Sequence, residues 1–305
     1  MGKIRHVIAA LLAGTVVSWS AIHRAQAAEN GVFDYPPGSA SPFAGLFPPM
    51  PGAYLLSQGF YNPPGRLYNA QGQPSSLPIK ASSEGIAYRF LFAYPGTVLG
   101  AKFYQQLILA PVNATVQSFG QTQSSFGLGN VLISPAILNW PVAPHQTATV
   151  GLDVVTPFSS YNKNAPLNVG NDHTSFQTVF AYSYFNPKGL IVGISPRFMF
   201  DTQNIATRYT NGIGFDADFT VGYKFGNFTP GIVGSFAQQL TPDQQLGHVV
   251  HGNRYASAGI GPSLTINDGP LIFNVNYQAN IMARNTIRNN TLWVDVIMPL
   301  YMPHK

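Results

Sequence analysis

The sequence predicts an all-β fold, a transmembrane antiparallel up-and-down β-barrel of about twelve strands, or about fourteen if residues 98–119 fold back as a hairpin near Pro111. Three observations carry this expectation. From Leu271 to Ile281 every odd position is apolar, while Asn274, Asn276, Gln278 and Asn280 hold four of the five even ones. Such alternation gives a strand one greasy face and one wet face, over the roughly 9–11 residues that a tilted strand needs to cross a bilayer core. Only 9% of residues are charged and 13% are aromatic, where a soluble domain carries roughly 25% charge. The shortfall is expected if the outer surface faces lipid. Finally, from the middle of the chain onward short turns alternate with long polar loops, as in barrels whose two rims face different compartments.

Taken in order, residues 1–27 read as a secretory signal peptide. Lys3, Arg5 and His6 form a basic start, Val7 to Val17 is apolar apart from Gly14 and Thr15, and Ala25-Gln26-Ala27 offers a small-x-small cleavage pattern. The apolar run is too short for a helical span, and nothing else approaches the ~18 apolar residues one requires. Residues 28–52 read as a lead-in or an inward-folding plug, because Pro36, Pro37, Pro42, Pro48, Pro49 and Pro51 forbid a helix or an interior strand. Residues 53–305 read as the barrel.

The first strand is expected over Tyr54 to Phe60, followed by a loop from Asn62 to Ser82 rich in proline and glycine. Ile86, Tyr88, Phe90 and Phe92 then alternate with Ala87, Arg89 and Leu91, which turns Arg89 inward. Runs at 128–140 and 147–157 flank a short turn from Pro141 to His145. Strands at 173–185 and 189–201 flank Asn186-Pro187-Lys188-Gly189, with Ser195, Arg197 and Asp201 opposite Leu190, Val192, Ile194, Phe198 and Phe200. Phe215, Ala217, Phe219, Val221, Tyr223 and Phe225 alternate with Asp216, Asp218, Thr220, Gly222 and Lys224, so charges share the face that lipid would reject. Strands at 228–240, 253–265, 271–281 and 292–301 complete the wall. Trp140, Tyr182, Tyr184, Phe185, Tyr223, Phe225, Tyr255 and Trp293 cluster toward strand ends, where amphipathic rings suit the interfaces.

The chain has no cysteine, which excludes a disulfide-stapled secreted module. Removal of residues 1–27 takes away Lys3, Arg5 and Arg24, leaving 13 basic and 11 acidic residues. So even a balance makes no electrostatic case for nucleic acid.

Several short landmarks occur in order. They are Tyr35-Pro36-Pro37-Gly38, Pro51-Gly52-Ala53-Tyr54, Gly127-Leu128-Gly129-Asn130 with Ser134-Pro135, and Thr156-Pro157 before Asn168-Val169-Gly170-Asn171. Thr207-Arg208-Tyr209-Thr210-Asn211-Gly212 and Gly259-Ile260-Gly261-Pro262 follow. With this set the chain resembles the MetA-pathway of phenol degradation family of outer-membrane transporter-like proteins. It departs from the family where Gln278 and Asn280, rather than an acidic residue, precede Ala283-Arg284. The resemblance implies a bacterial outer-membrane barrel that passes small hydrophobic or aromatic compounds. Its expected partners are outer-membrane lipids and lipopolysaccharide, the solute, and the barrel-assembly machinery.

On this reading Arg89, Arg197, Asp216, Asp218, Lys224, Asn274, Asn276, Gln278 and Arg284 line the lumen and tune permeation, with Asp201 and Arg254 among further charges of the inner face. No catalytic residue, cofactor or metal is expected. His248 and His251 have only Asp243 nearby as a third ligand, and read as solvated loop residues. Two alternatives stand beside the channel: a plugged structural or adhesive barrel, and a lipid hydrolase using Ser175, His173 and Asn171. The hydrolase is disfavoured because side chains two apart on a strand lie about 7 Å from each other, beyond a direct hydrogen bond.

Overall fold

The computed structural model describes residues 33–303, and the signal-peptide reading for residues 1–27 lies outside them. Strands β1 (Gly52–Tyr68), β2 (Ile79–Ala93), β3 (Lys102–Leu109), β4 (Pro111–Ser118), β5 (Gln121–Leu128) and β6 (Leu132–Ala143) form the first half. Next come β7 (Gln146–Val155), β8 (Ser175–Phe185), β9 (Leu190–Asp201), β10 (Tyr209–Thr210), β11 (Gly214–Tyr223) and β12 (Phe228–Gln239). The chain ends with β13 (Gln244–Gln245), β14 (His248–Val249), β15 (Ala256–Asp268), β16 (Leu271–Arg284), β17 (Thr286–Arg288) and β18 (Thr291–Tyr301).

Neighbouring strands pair antiparallel around a closed twelve-strand barrel, while β10, β13 and β14 form a separate three-stranded sheet in the loops. Closure is made by β1, which pairs with β2 on one side and β18 on the other, for example through Gln58 opposite Ala87 and Asp295. Among the described residues no helix is long and apolar enough to cross a membrane. In the closed sheet the backbone groups of each strand are satisfied by its neighbours, the condition a barrel must meet to cross a bilayer. Short connections such as 186–189, 224–227 and 269–270 gather at one rim, where β1 begins and β18 ends. The long loops, including 156–174 and 202–213, lie at the other.

Residues 98–119 form one interrupted strand rather than a hairpin at Pro111. β3 pairs with the later half of β2 and β4 with its earlier half, with a break at Ala110. The chain instead reverses at Phe119 and Gly120, whose φ values of 48° and 77° suit a tight hairpin turn. The first strand also runs past its expected end. β1 carries Pro63 and Pro64 through a register shift between Asn62 and Gly65, a position where missing N–H groups are tolerated.

The two faces separate as the alternation predicts. Ile86, Val150, Phe180, Ile194, Val221, Ile232, Val275 and Val294 are exposed on the outside, while Gln58, Asp153, Gln177, Arg197, Asp216, Asp218, Asn276 and Asp295 are buried within. Phe219, in the middle of β11 and on its outer face, lies opposite Gly234, and its ring covers the space a side chain there would need. Tyr182, Tyr223 and Phe225 are exposed at the short-turn rim, as an interfacial girdle requires. Tyr255 and Trp293 are not part of a girdle: both face inward, Trp293 beside Phe60 at 5.6 Å between ring centroids. Replacement of Phe219 by Arg should destabilise the inserted barrel by about 2–4 kcal/mol. Denaturant titration in lipid vesicles measures this, and equal tolerance of Phe219→Arg and Phe219→Leu would contradict the outward placement.

Candidate functional site

Several inward polar groups, among them Gln58, Arg89, Arg197, Asp218 and Gln278, meet residues 33–51, which run through the lumen from the long-loop rim to the short-turn rim. At the long-loop end Phe33 stacks on Tyr255 at 4.3 Å, and Asp34 reaches His173 Nε2 at 3.0 Å and accepts from Asn171 Nδ2 at 3.0 Å. Asp201, at the end of β9, lies 3.6 Å from the same imidazole nitrogen. Burial pushes the Asp34 carboxyl up, but the His173 charge and hydrogen bonds from His173 and Asn171 bring it net below its ordinary value.

At the next residue, the Tyr35 ring lies under two guanidiniums. The Arg197 carbon is 3.6 Å from its centroid and that of Arg89 5.6 Å, and Arg89 donates to the Tyr35 hydroxyl at 3.0 Å. Arg197 is itself held by Asp153 and by Gln177 Oε1, so the cation–π contact is made by a fixed, desolvated cation. Asp216 sits opposite Arg197 in the β9–β11 register and completes this buried charged layer.

The next layer fixes the backbone. Asp218 accepts from the Gly38 and Ala40 amides, one per carboxylate oxygen, each at 2.7 Å. Gln278 Nε2 donates to Gly38 O at 3.1 Å and Gln58 Nε2 to Ser39 O at 2.7 Å. Gly38 has φ +92°, and any side chain on it would strike Gln278. Gln278 also ends an amide ladder along β16, donating to Asn276, which donates to Asn274. A short 3₁₀ turn at Ser41–Phe43 follows, with Ser41 Oγ donating to Gly234 O at 2.9 Å. The Ala44 carbonyl then packs directly against Gly193 of β9, where a Cβ would collide with it. Near the short-turn rim Phe47 meets the Tyr104 ring at 5.0 Å, the Tyr104 hydroxyl donates to Pro48 O at 2.9 Å, and Lys102 Nζ donates to Pro49 O at 2.9 Å.

Between this segment and the wall remains a cavity of about 140 Å³. Phe43, Leu46, Phe47, Leu91, Ile137 and Val179 are among its apolar lining residues, and Arg89, Arg197 and Asp153 among its polar ones.

Of the residues expected in the lumen, Arg89, Arg197, Asp216, Asp218, Asn274, Asn276 and Gln278 do face it. Two do not. Lys224 follows the last residue of β11 in the turn to β12, its ammonium 6.0 Å from the Phe185 ring at the rim. Arg284 is exposed because a bulge at Ile281 inserts one residue into β16 opposite β15, reversing the faces beyond it. Arg254 is likewise exposed and donates to Leu240 O. His248 and His251 are exposed, whereas Asp243 is fully buried and accepts from Gln239 and the Gly212 amide. His173 turns Nε2 toward Asp34 and Asp201, and Ser175 receives a hydrogen bond from Gln177.

Asp153, Asp295, Gln58, Gln177 and Asp34 take part in this lumen without having been singled out by sequence. Asp153 and Asp295 did carry a signal, since each is a carboxylate flanked on both sides by outward apolar residues. Asp218→Leu should remove two charge-assisted hydrogen bonds and weaken docking of residues 33–51 by about 3–6 kcal/mol, with the barrel still closed. Gly193→Val should displace the same segment by steric means. Protease accessibility of residues 33–51 in the folded barrel reads both, and unchanged protection in both variants would contradict the docking described.

No curated protein matches the chain by sequence. Among solved structures, the COG4313 outer membrane channel from Pseudomonas putida F1 matches with a TM-score of 0.75 at 13% identity, covering 87% of this chain and 99% of that one. The translocator domain of the autotransporter NalP from Neisseria meningitidis matches with a TM-score of 0.49 at 10% identity, covering 82% of this chain and 88% of that one. The first likeness is one of fold. Residues 64–296, well over half of the sequence, match the family described as "Putative MetA-pathway of phenol degradation", and the chain belongs to that family.

Proposed function

We propose that this protein resides in the bacterial outer membrane and lets small hydrophobic or aromatic compounds cross by passive, gradient-driven diffusion. The observation that carries this reading is the cavity of about 140 Å³ between residues 33–51 and the wall, with aliphatic and aromatic lining and two guanidiniums at one edge. A dry cavity of about 150 Å³ lined by Leu, Ile and Phe is large enough for benzene. The Arg89 and Arg197 edge adds a place for a hydroxyl or carboxylate on such a ring. Lipopolysaccharide slows apolar solutes, so a protein path with this lining speeds them. The solved channel from Pseudomonas putida F1 supports the barrel as a scaffold for such a role, and family membership supports the class of solute.

Passage requires residues 33–51 to shift or the solute to leave sideways through the wall, since the segment fills the lumen along its length. A second reading, a structural or adhesive barrel with a permanent plug, draws on the same dense set of bonds between segment and wall. The enzymatic reading has no comparable support, because His173 addresses carboxylates rather than a serine nucleophile.

Cells with and without the gene should differ in uptake of a panel of labelled aromatic and aliphatic solutes, by several-fold for at least one aromatic member. Purified barrel in planar bilayers should show low conductance that rises in Gly193→Val. If uptake is equal for the whole panel and both proteins are electrically silent, the plugged structural reading replaces the channel.

A further inference from the structure

Asp34, His173 and Asp201 come from three separate places: the lumenal segment, the loop ahead of β8, and the end of β9. One ligand atom from each lies within 4.8 Å of the other two. His173 Nε2 is 3.0 Å from Asp34 Oδ2 and 3.6 Å from Asp201 Oδ2. Donor atoms bound to one tetrahedral ion at about 2.1 Å lie about 3.4 Å apart, so both separations already bracket that of a coordination shell.

Two further observations point to a ligand. The Asp201 side chain is only 5% exposed, and its Oδ1 is buried without a hydrogen-bond partner among the described residues. An orphaned carboxylate oxygen beside a second carboxylate is costly, and a cation relieves both problems. No Lys or Arg among the described residues is ion-paired with Asp34 or Asp201. Meanwhile Asn171 Nδ2 donates to Asp34 Oδ1 and Asn211 Nδ2 to Asp201 Oδ2 at 2.8 Å, the kind of outer hydrogen bonds that orient metal-binding carboxylates.

We propose that Asp34, His173 and Asp201 bind one divalent first-row transition-metal ion, which staples the start of the lumenal segment to the barrel wall at the long-loop rim. Two carboxylates and one imidazole suit a borderline or hard cation such as Zn²⁺ rather than a soft monovalent one. Because Asp34 belongs to the segment and the other two ligands to the wall, occupancy holds the segment in place. The site is independent of which solute, if any, crosses the barrel.

The test is calorimetric titration of Zn²⁺ into chelator-stripped, detergent-solubilised full chain. Wild type is compared with Asp34→Asn, His173→Gln, Asp201→Asn and a double variant His248→Gln/His251→Gln, each checked for folding by heat-modifiable gel mobility. One ion per wild-type chain is expected, with affinity lower by about 100-fold or more in the three single variants and unchanged in the double one. Asp34→Asn is decisive should the wall variants misfold, since Asp34 lies outside the strands that close the barrel. Absence of stoichiometric binding to wild type overturns the proposal, as does binding that survives Asp34→Asn or disappears in the double variant. Neither result bears on solute uptake, which is measured separately.

Discussion

Hydrocarbon offers no hydrogen-bond partner to a peptide group, so every strand that crosses it must be flanked by another strand on both sides. For this chain that requirement falls hardest on β1, whose residues pair with β2 and with β18 at once and so join the two ends of the sheet. Once the sheet is closed, alternate residues have only two destinations. Apolar side chains face outward, and the charges and amides at the centre of the wall, such as Asp153, Arg197, Asp218 and Asn276, face a lumen too narrow to leave them freely solvated. At the register shifts in β1 and β16 the pairing slips by a residue or two and then resumes, so the sheet stays closed.

A lumen filled with Asp153, Arg197, Asp216, Asp218, Asp295 and Gln58 has its own desolvation problem. A segment without regular secondary structure has the complementary one, because its buried amides and carbonyls lack a ladder. Residues 33–51 and the inner wall resolve both together. Asp218 receives two amides of the Gly38–Ala40 turn, Gln58 and Gln278 donate to its carbonyls, and the Tyr35 ring offers its π-face to Arg197. Prolines 36, 37, 42, 48 and 49 reduce the number of N–H groups that need partners, which suits a stretch buried outside any sheet. Between segment and wall an apolar cavity of about 140 Å³ remains.

Much of this was legible along the chain. Asp216, Asp218, Arg197, Asn274, Asn276 and Gln278 were placed inside by nothing more than period-two alternation. Lys224 was misplaced because the alternation continues one residue beyond the last paired position, where the chain turns and the face loses its meaning. Arg284 was misplaced because one extra residue at Ile281 reverses every face beyond it, and a bulge leaves no mark in composition. Trp293 and Tyr255 were assigned to an interface because they lie near strand ends, whereas Trp293 sits on the inner face of β18 and Tyr255, just ahead of β15, packs against Phe33.

The sequence by itself determined the all-β class, the approximate number of strands, and, within uninterrupted strands, which face turns away from lipid. These are properties of the local backbone, whose side chains alternate in every strand whatever its neighbours are. Only the tertiary structure decided that Asp218 would hold Gly38 and that Asp34 would meet His173 and Asp201. Those contacts join positions more than a hundred residues apart. They depend on the register in which the barrel closes and on the path of residues 33–51 through it, and both arise from pairings between distant strands that no local pattern encodes.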